Sequence, residues 1–262
     1  QGLTTTFLFR NTTLNPLGIV NFSNTDTNNN SVKINGITSS EASFNLRFAY
    51  NEEFLAGEFD RISLGTRYPV LEFSYAYGMP NLFASSWEYH RLKLSCSHKI
   101  RLGILGTMKY KFSAGKIWGN LPYPLLEVHP GNETWSYNDD AYNMMNIGEF
   151  VSDEFISFKA YQHFDGLLLN KIPLLSKLKW REVAGIKGVW GRLNSRHNEI
   201  MILPSFSRSL NAKPYLECSA GIENIFKFLR FDVIWRLSYL DNELSGQKVA
   251  PIGFRAKLQF DF

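Results

Sequence analysis

Residues 228–240 read FLRFDVIWRLSYL and residues 252–262 read IGFRAKLQFDF. In the first stretch Leu229, Phe231, Val233, Trp235, Leu237 and Tyr239 share one parity. Arg230, Asp232, Arg236 and Ser238 share the other, with Ile234 as the one exception. In the second, Phe254, Ala256, Leu258, Phe260 and Phe262 stand against Arg255, Lys257, Gln259 and Asp261. An extended chain sends successive side chains to opposite faces, so this period of 2 describes a strand with one apolar and one polar face. Working outward, Ala42, Phe44, Leu46, Phe48 and Tyr50 alternate with Ser43, Asn45 and Arg47. Leu71, Phe73, Tyr75 and Tyr77 stand against Glu72 and Ser74, and Leu102, Ile104, Met108, Tyr110 and Phe112 against Arg101, Thr107, Lys109 and Lys111. Helical periodicity is nearly absent.

With 44% hydrophobic and 20% charged residues, the 262-residue chain is not disordered. It lacks the long apolar run of a spanning helix. Cys96 and Cys218 allow at most one disulfide, and both fall on the apolar parity, where a small hydrophobe fits and a disulfide is the alternative. The net charge of +4 is spread along the chain, which argues against a nucleic-acid partner. Residue 1 opens almost directly into a strand-like run, so the chain is expected to begin inside a longer protein.

A soluble antiparallel sheet with one wet face would also alternate. Three features favour a membrane barrel. The segments are long against the usual ~5–6 residues, aromatics crowd their apolar face, and connections alternate between short and long. Transmembrane barrels combine strands of ~9–11 residues, an apolar exterior, aromatic girdles, short periplasmic turns and long outer loops. Eleven segments fit, at 2–11, 16–23, 41–50, 68–77, 87–97, 101–115, 149–163, 178–191, 214–224, 228–240 and 252–262. Bacterial single-chain barrels have even strand numbers. The expectation is therefore an all-β fold: an antiparallel transmembrane β-barrel, of which residues 1–262 form a single outer-membrane domain, the C-terminal eleven strands of a barrel of about 16. Turns near 12–15, 51–67, 98–100, 164–177 and 225–227 are assigned to the periplasm. Loops 24–40, 78–86, 116–148, 192–213 and 241–251 are assigned to the outside.

The terminal Phe262, with Phe254 and Phe260, resembles the C-terminal insertion signal of Gram-negative outer-membrane proteins, which implies the barrel assembly machinery as a partner through edge pairing. The pieces GKIWGNLPYPLLEVHPGNETW, YNMMNIGEFVSDEFISFKAYQHFDG and NKIPLLSKLKWREVAGIKGVWG in residues 115–191, with RFAYNEEF at Arg47–Phe54, resemble an uncharacterised outer-membrane barrel family of Bacteroidota. Its members are known only as a domain of unknown function following a carboxypeptidase-regulatory-like domain. The resemblance implies an N-terminal β-sandwich domain and a location in the Gram-negative outer membrane. More distantly, the order of strands and loops, with YLECSAGIENIF in the place of a late strand, resembles the Omp85 superfamily of 16-stranded assembly and translocation barrels. That superfamily carries an Arg-Gly-Phe type tip on its long loop, and loop 116–148 has none, so the architecture carries over more readily than the insertase activity.

The long loop is the strongest functional hint. It carries Trp118, Gly119, Pro122, Tyr123, Pro124, Asn132 and Trp135. Long loops without regular structure are uncommon unless functional, and these aromatics need cover. Trp118 and Tyr123 are expected to pack inside or across the barrel mouth, as a structural plug or as a binding or gating element. Asp139 and Asp140 with Asn138 and Asn143 offer oxygen ligands for a calcium ion as an alternative, although their spacing is not that of an EF-hand. Charges assigned to the lumen include Arg181, Arg230, Arg236 and Arg255. They read as a hydrogen-bonded interior or as an anion-favouring channel, with Glu223 and Arg230 able to cancel across a hairpin. The apolar segment 164–177, FDGLLLNKIPLLSK, is assigned to the lipid interface, to the lower lumen, or to docking of a periplasmic domain or envelope partner.

No zinc spacing, nucleotide fingerprint or nucleophile elbow occurs. Ser157 and His163 lie ~20 Å apart along one strand, so they cannot form a catalytic pair. The chain is therefore expected to be neither an enzyme nor a cofactor or metal protein, with outer-membrane lipid as its surroundings. The leading expectation is an Omp85-like barrel in envelope biogenesis or translocation, its lumen closed by loop 116–148. The alternatives are a porin-like channel or nutrient transporter, or a structural barrel anchoring a periplasmic domain.

Overall fold

The computed structural model describes residues 2–16, 22–25, 31–56, 61–241, 243–244 and 247–259. Among these residues ten strands form one antiparallel sheet in which sequence neighbours are sheet neighbours. They are β1 (Leu3–Leu14), β2 (Ile37–Ala49), β3 (Val70–Gly78), β4 (Tyr89–Arg101), β5 (Thr107–Trp118), β6 (Glu154–His163), β7 (Arg181–Arg192), β8 (Tyr215–Ile225), β9 (Leu229–Arg236) and β10 (Ile252–Leu258). Apart from 3₁₀ segments, the only helix among the described residues is one turn, Pro173–Ser176. Among the described residues β1 pairs with β2 and β10 with β9, and β1 does not pair with β10.

The all-β antiparallel expectation is met, and the strand assignment needs two corrections. The turn expected at 98–100 lies at 102–106, because β4 runs on to Arg101 and β5 starts only at Thr107. Among the described residues no strand of this sheet stands between the first expected segment, 2–11, and the third, 41–50. β1 pairs directly with β2, from Leu3 against Phe48 to Leu14 against Ile37, which makes ten sheet strands where eleven were expected. Most of 16–23 lies outside the described residues. Ser23–Thr25 belongs to a small hairpin with Ser31–Lys33, and Phe22 is buried among loop side chains. Residues 12–15 therefore lie at the end of the sheet that carries the long connections. Those connections are 15–36, 79–88, 119–153, 193–214 and 237–251, and the opposite end carries 50–69, 102–106, 164–180 and 226–228.

The two faces are inverted relative to a soluble sheet. On β9, Arg230, Asp232 and Arg236 are each only 2% exposed, while Phe231 is 51% exposed. On β10 Phe254 is 72% exposed. The same inversion exposes Phe7 on β1, Leu71 on β3, Leu94 on β4, Phe112 on β5, Ile156 on β6 and Ile186 on β7. Adjacent rings continue across strands, with Phe7 5.0 Å from Phe44 and Phe44 6.3 Å from Phe73. A sheet folding in water would hide this face, since apolar burial contributes ~25 cal/mol per Å².

Candidate functional site: a loop folded onto the polar face

The connection between β5 and β6 spans 119–153, starting later and ending later than the 116–148 read from the sequence. Gly119 opens it with φ +121°, and a side chain there would meet the Glu88 carbonyl oxygen at 2.6 Å. The chain thus turns tightly against the start of β4 at a position where glycine alone fits. It then folds onto the polar face of the sheet. Leu121, Pro122, Tyr123, Leu125 and Leu126 bury at the long-connection end. There Leu121, Tyr123, Leu125 and Leu126 join Phe22, Ile37, Tyr89, Ile117, Leu193 and Met201. The Phe22 and Tyr123 rings meet edge-on at 5.9 Å. Pro124 is half-buried.

Deeper along the polar face, cationic side chains of the wall grip the loop backbone. Lys187 on β7 donates to the Asn138 and Ala141 carbonyls. Lys159 on β6 donates to the Asp140 carbonyl, and Lys257 on β10 pairs with the Asp139 carboxylate. Arg255 donates to the Asn143 carbonyl at 2.8 Å. Glu217 on β8 accepts from the backbone N–H groups of Asn143 at 2.9 Å and Met144 at 3.0 Å. Arg236 closes the set through a two-pronged pair with the loop's Glu149 at 2.6 and 3.0 Å, both side chains being almost completely buried. Charge-assisted hydrogen bonds of this kind are the strong ones.

Aromatics fill the space between these anchors. Tyr137 lies against Tyr161 and Ile234, with the Arg230 guanidinium 4.5 Å from its ring centroid. Ile234 is the residue that broke the alternation of β9, and it is 1% exposed on the polar side, where it seats Tyr137. Tyr142 and Phe150 pack on Tyr215, and Phe150 also on Tyr239. The loop also reaches the free edge of the last strand. The Tyr137 N–H donates to the Ala256 carbonyl at 2.7 Å, and the Ala256 N–H donates to the Trp135 carbonyl at 3.0 Å. His129 is buried against Phe155 and bonds Ser152 Oγ through Nε2 at 2.9 Å, and burial pushes its imidazole down to about 4.

The residues singled out from sequence divide. Tyr123 and Pro122 are buried at the long-connection end, and Asn132 is buried, donating to Asn143 Oδ1 and the Ser136 carbonyl at 2.7 Å each. Trp118 is a correction. It is 41% exposed on the apolar parity of β5, with the Lys116 ammonium 5.8 Å from its ring, because Ile117 takes the inward position. Trp135 is 74% exposed and contributes its backbone alone. Arg230 pairs with Asp232 through two 2.7 Å bonds, and Glu223 takes His163, so the sequence pairing of Glu223 with Arg230 does not form. Arg236 and Arg255 hold the loop, and Arg181 is a more exposed pair with Asp165 at 3.9 Å. Phe254 faces outward, and Phe260 and Phe262 lie outside the described residues.

The calcium alternative is also corrected. Asp139 is taken by Lys257, and Asn143 Oδ1 accepts from Asn132 and from the Asn138 N–H. Cys96 and Cys218 are both free thiols on well-separated strands, so the disulfide alternative is not realised. Glu149 and Lys187 were missed. Glu149 sits in irregular loop sequence, and Lys187 is masked because β7 mixes Val183, Gly185 and Val189 into its polar face.

A family model for the C-terminal domain of a family of unknown function, DUF5686, matches residues 9–202. The chain belongs to that family. No curated protein matches it. The match runs from β1 through the gripped loop and β7 into the following connection, so family membership covers most of the sheet and all of loop 119–153.

Proposed function

We propose that this family member is an outer-membrane β-barrel protein whose lumen is closed by its own loop 119–153. The single observation carrying this reading is the inverted sheet: Arg230, Asp232 and Arg236 buried, Phe231 and Phe254 exposed. Lipid rewards that arrangement and water penalises it. Strands of 9 to 13 residues on β1–β6, a length that crosses a bilayer core when tilted, support it. So does a collar of exposed apolar side chains at the short-connection end, including Ile104, Leu168, Leu174 and Phe226, which suits the lipid interface on the periplasmic side. That exposure also favours the interface over the lower lumen for segment 164–177.

Within that reading the protein acts in envelope biogenesis or translocation, with Omp85-like architecture, in the Gram-negative outer membrane of a Bacteroidota-type cell, and the barrel assembly machinery inserts it. The loop contacts on β6 to β10 favour a blocked lumen over a porin-like channel. The bond from loop to Ala256 favours a last strand whose edge is managed by the protein itself, as an unclosed seam requires. In planar bilayers the intact protein is expected to conduct poorly, and removal of residues 120–146 to raise conductance. Steady porin-like conductance of the intact protein would move the channel or nutrient-transporter reading ahead.

A further inference from the structure

Lys111, Lys159 and Lys187 sit directly opposite one another in register on β5, β6 and β7. Like charges side by side on one face of a sheet destabilise it. Lys187 is offset by Glu217 at 3.8 Å and by two loop carbonyls. Lys159 has one carbonyl, that of Asp140, and the Tyr142 ring 5.1 Å from its ammonium, and Lys111 makes no ion pair or side-chain hydrogen bond among the described residues.

These two ammonium groups line a cavity of about 540 Å³ on the polar face. One register step toward the long-connection end, Ser95, Ser113 and Ser157 lie side by side across β4, β5 and β6, and all three line the cavity. Two of the other charges there are paired, Arg47 with Glu52 and Lys93 with Glu127. Among the described residues Asp140 and Glu72, which accepts from Ser95 Oγ, are the lining carboxylates without an ion pair. A second cavity of about 340 Å³ shares Lys111, Asp140 and Lys159 and adds Lys109, which also makes no ion pair among the described residues.

We propose that this cavity binds a phosphorylated polar molecule, its phosphate held between Lys111 and Lys159 and its hydroxyls by the serine row. Lysine is a compact point charge suited to phosphate. The volume exceeds what a bare phosphate needs and falls in the range of small-molecule sites. The phosphate arrives either on a free small molecule or on a lipid headgroup, and both satisfy the same chemistry. The inference rests on the polar-face cavity and not on membrane crossing, so it is read in detergent, independently of insertion.

The experiment is calorimetric titration of the purified chain in neutral detergent with inorganic pyrophosphate, with glucose 6-phosphate, and with mixed micelles containing phosphatidic acid. Saturable binding of either soluble probe assigns a free ligand, and binding of the micelles alone assigns a headgroup. Lys111→Gln and Lys159→Gln should each weaken Kd about tenfold or more, the scale of one charge-assisted bond. Lys171→Gln with Lys177→Gln, at the opposite end of the sheet from the loop, should leave Kd unchanged. No binding by any probe overturns the proposal. So does binding undiminished in the Lys111 and Lys159 variants, or equal loss in the Lys171 and Lys177 control.

Discussion

Glu149 and Arg236 show what a single residue does here. Their side chains are almost completely buried, one on the loop and one on the wall. Removing one partner of such a pair leaves an uncompensated buried charge, at a cost of ~3–5 kcal/mol. Glu149→Gln should therefore lower unfolding stability by about that amount, read as a shift in the denaturant midpoint of the folded protein in lipid. Asp232→Asn, which alternation alone marks as harmless on a polar face, should behave like Glu149→Gln because Asp232 is the two-pronged partner of Arg230. His129 supplies a pH dependence. Its folded value is pushed below the ordinary 6.5 to about 4 by burial, so it stays neutral in the folded loop. The unfolded chain binds a proton first as pH falls, so the contribution is complete above 6.5 and is lost as pH drops through about 4. Neighbouring Glu127 opposes this shift, and Lys93 and Lys159 reinforce it. Stability measured from pH 7 down to pH 4 should fall in the native protein, and His129→Phe should flatten that part of the profile.

At the scale of the element, much was legible. Strands such as β2, β3, β9 and β10 declare themselves because every second residue must satisfy a different medium. Ile234 was the visible exception, and its reason lies in Tyr137, nearly a hundred residues earlier in the chain. Phe22, in the segment 16–23 read as a strand, is apolar for a different cause, burial under Tyr123, and a short stretch does not distinguish the two. Trp118 was misplaced because its loop-like surroundings hid a parity that β5 still enforces. The loop's grip was not legible, since Lys187, Glu217 and Arg255 recognise backbone groups, which carry no sequence signature. The wall makes its own prediction. Arg placed on the apolar face near mid-strand should cost ~2–4 kcal/mol in lipid, falling toward ~0–1 near an interface. Val233→Arg, mid-strand on the apolar parity of β9, should therefore block stable folding into vesicles, while Phe226→Arg in the β8–β9 turn should be tolerated. Equal tolerance would place the apolar face in water.

At the scale of the whole molecule, the sheet presents two unlike surfaces. Among the described residues the apolar surface is left uncovered, and the polar surface is covered by loop 119–153 over β6 to β10. In the proposed barrel the two go together: the polar face needs partners for its charges, and the apolar face needs lipid. The most direct test places nitroxide labels, one at a time, at Leu94, Ile156 and Phe231 and at Ser95, Ser157 and Arg230, with the protein folded in lipid vesicles. Relaxation by oxygen, which concentrates in the bilayer, is compared with relaxation by a water-soluble nickel chelate. The account predicts alternation along each strand, with oxygen dominant at Leu94, Ile156 and Phe231 and weak at their neighbours. Nickel accessibility at Leu94, Ile156 and Phe231, or the absence of alternation, would contradict it.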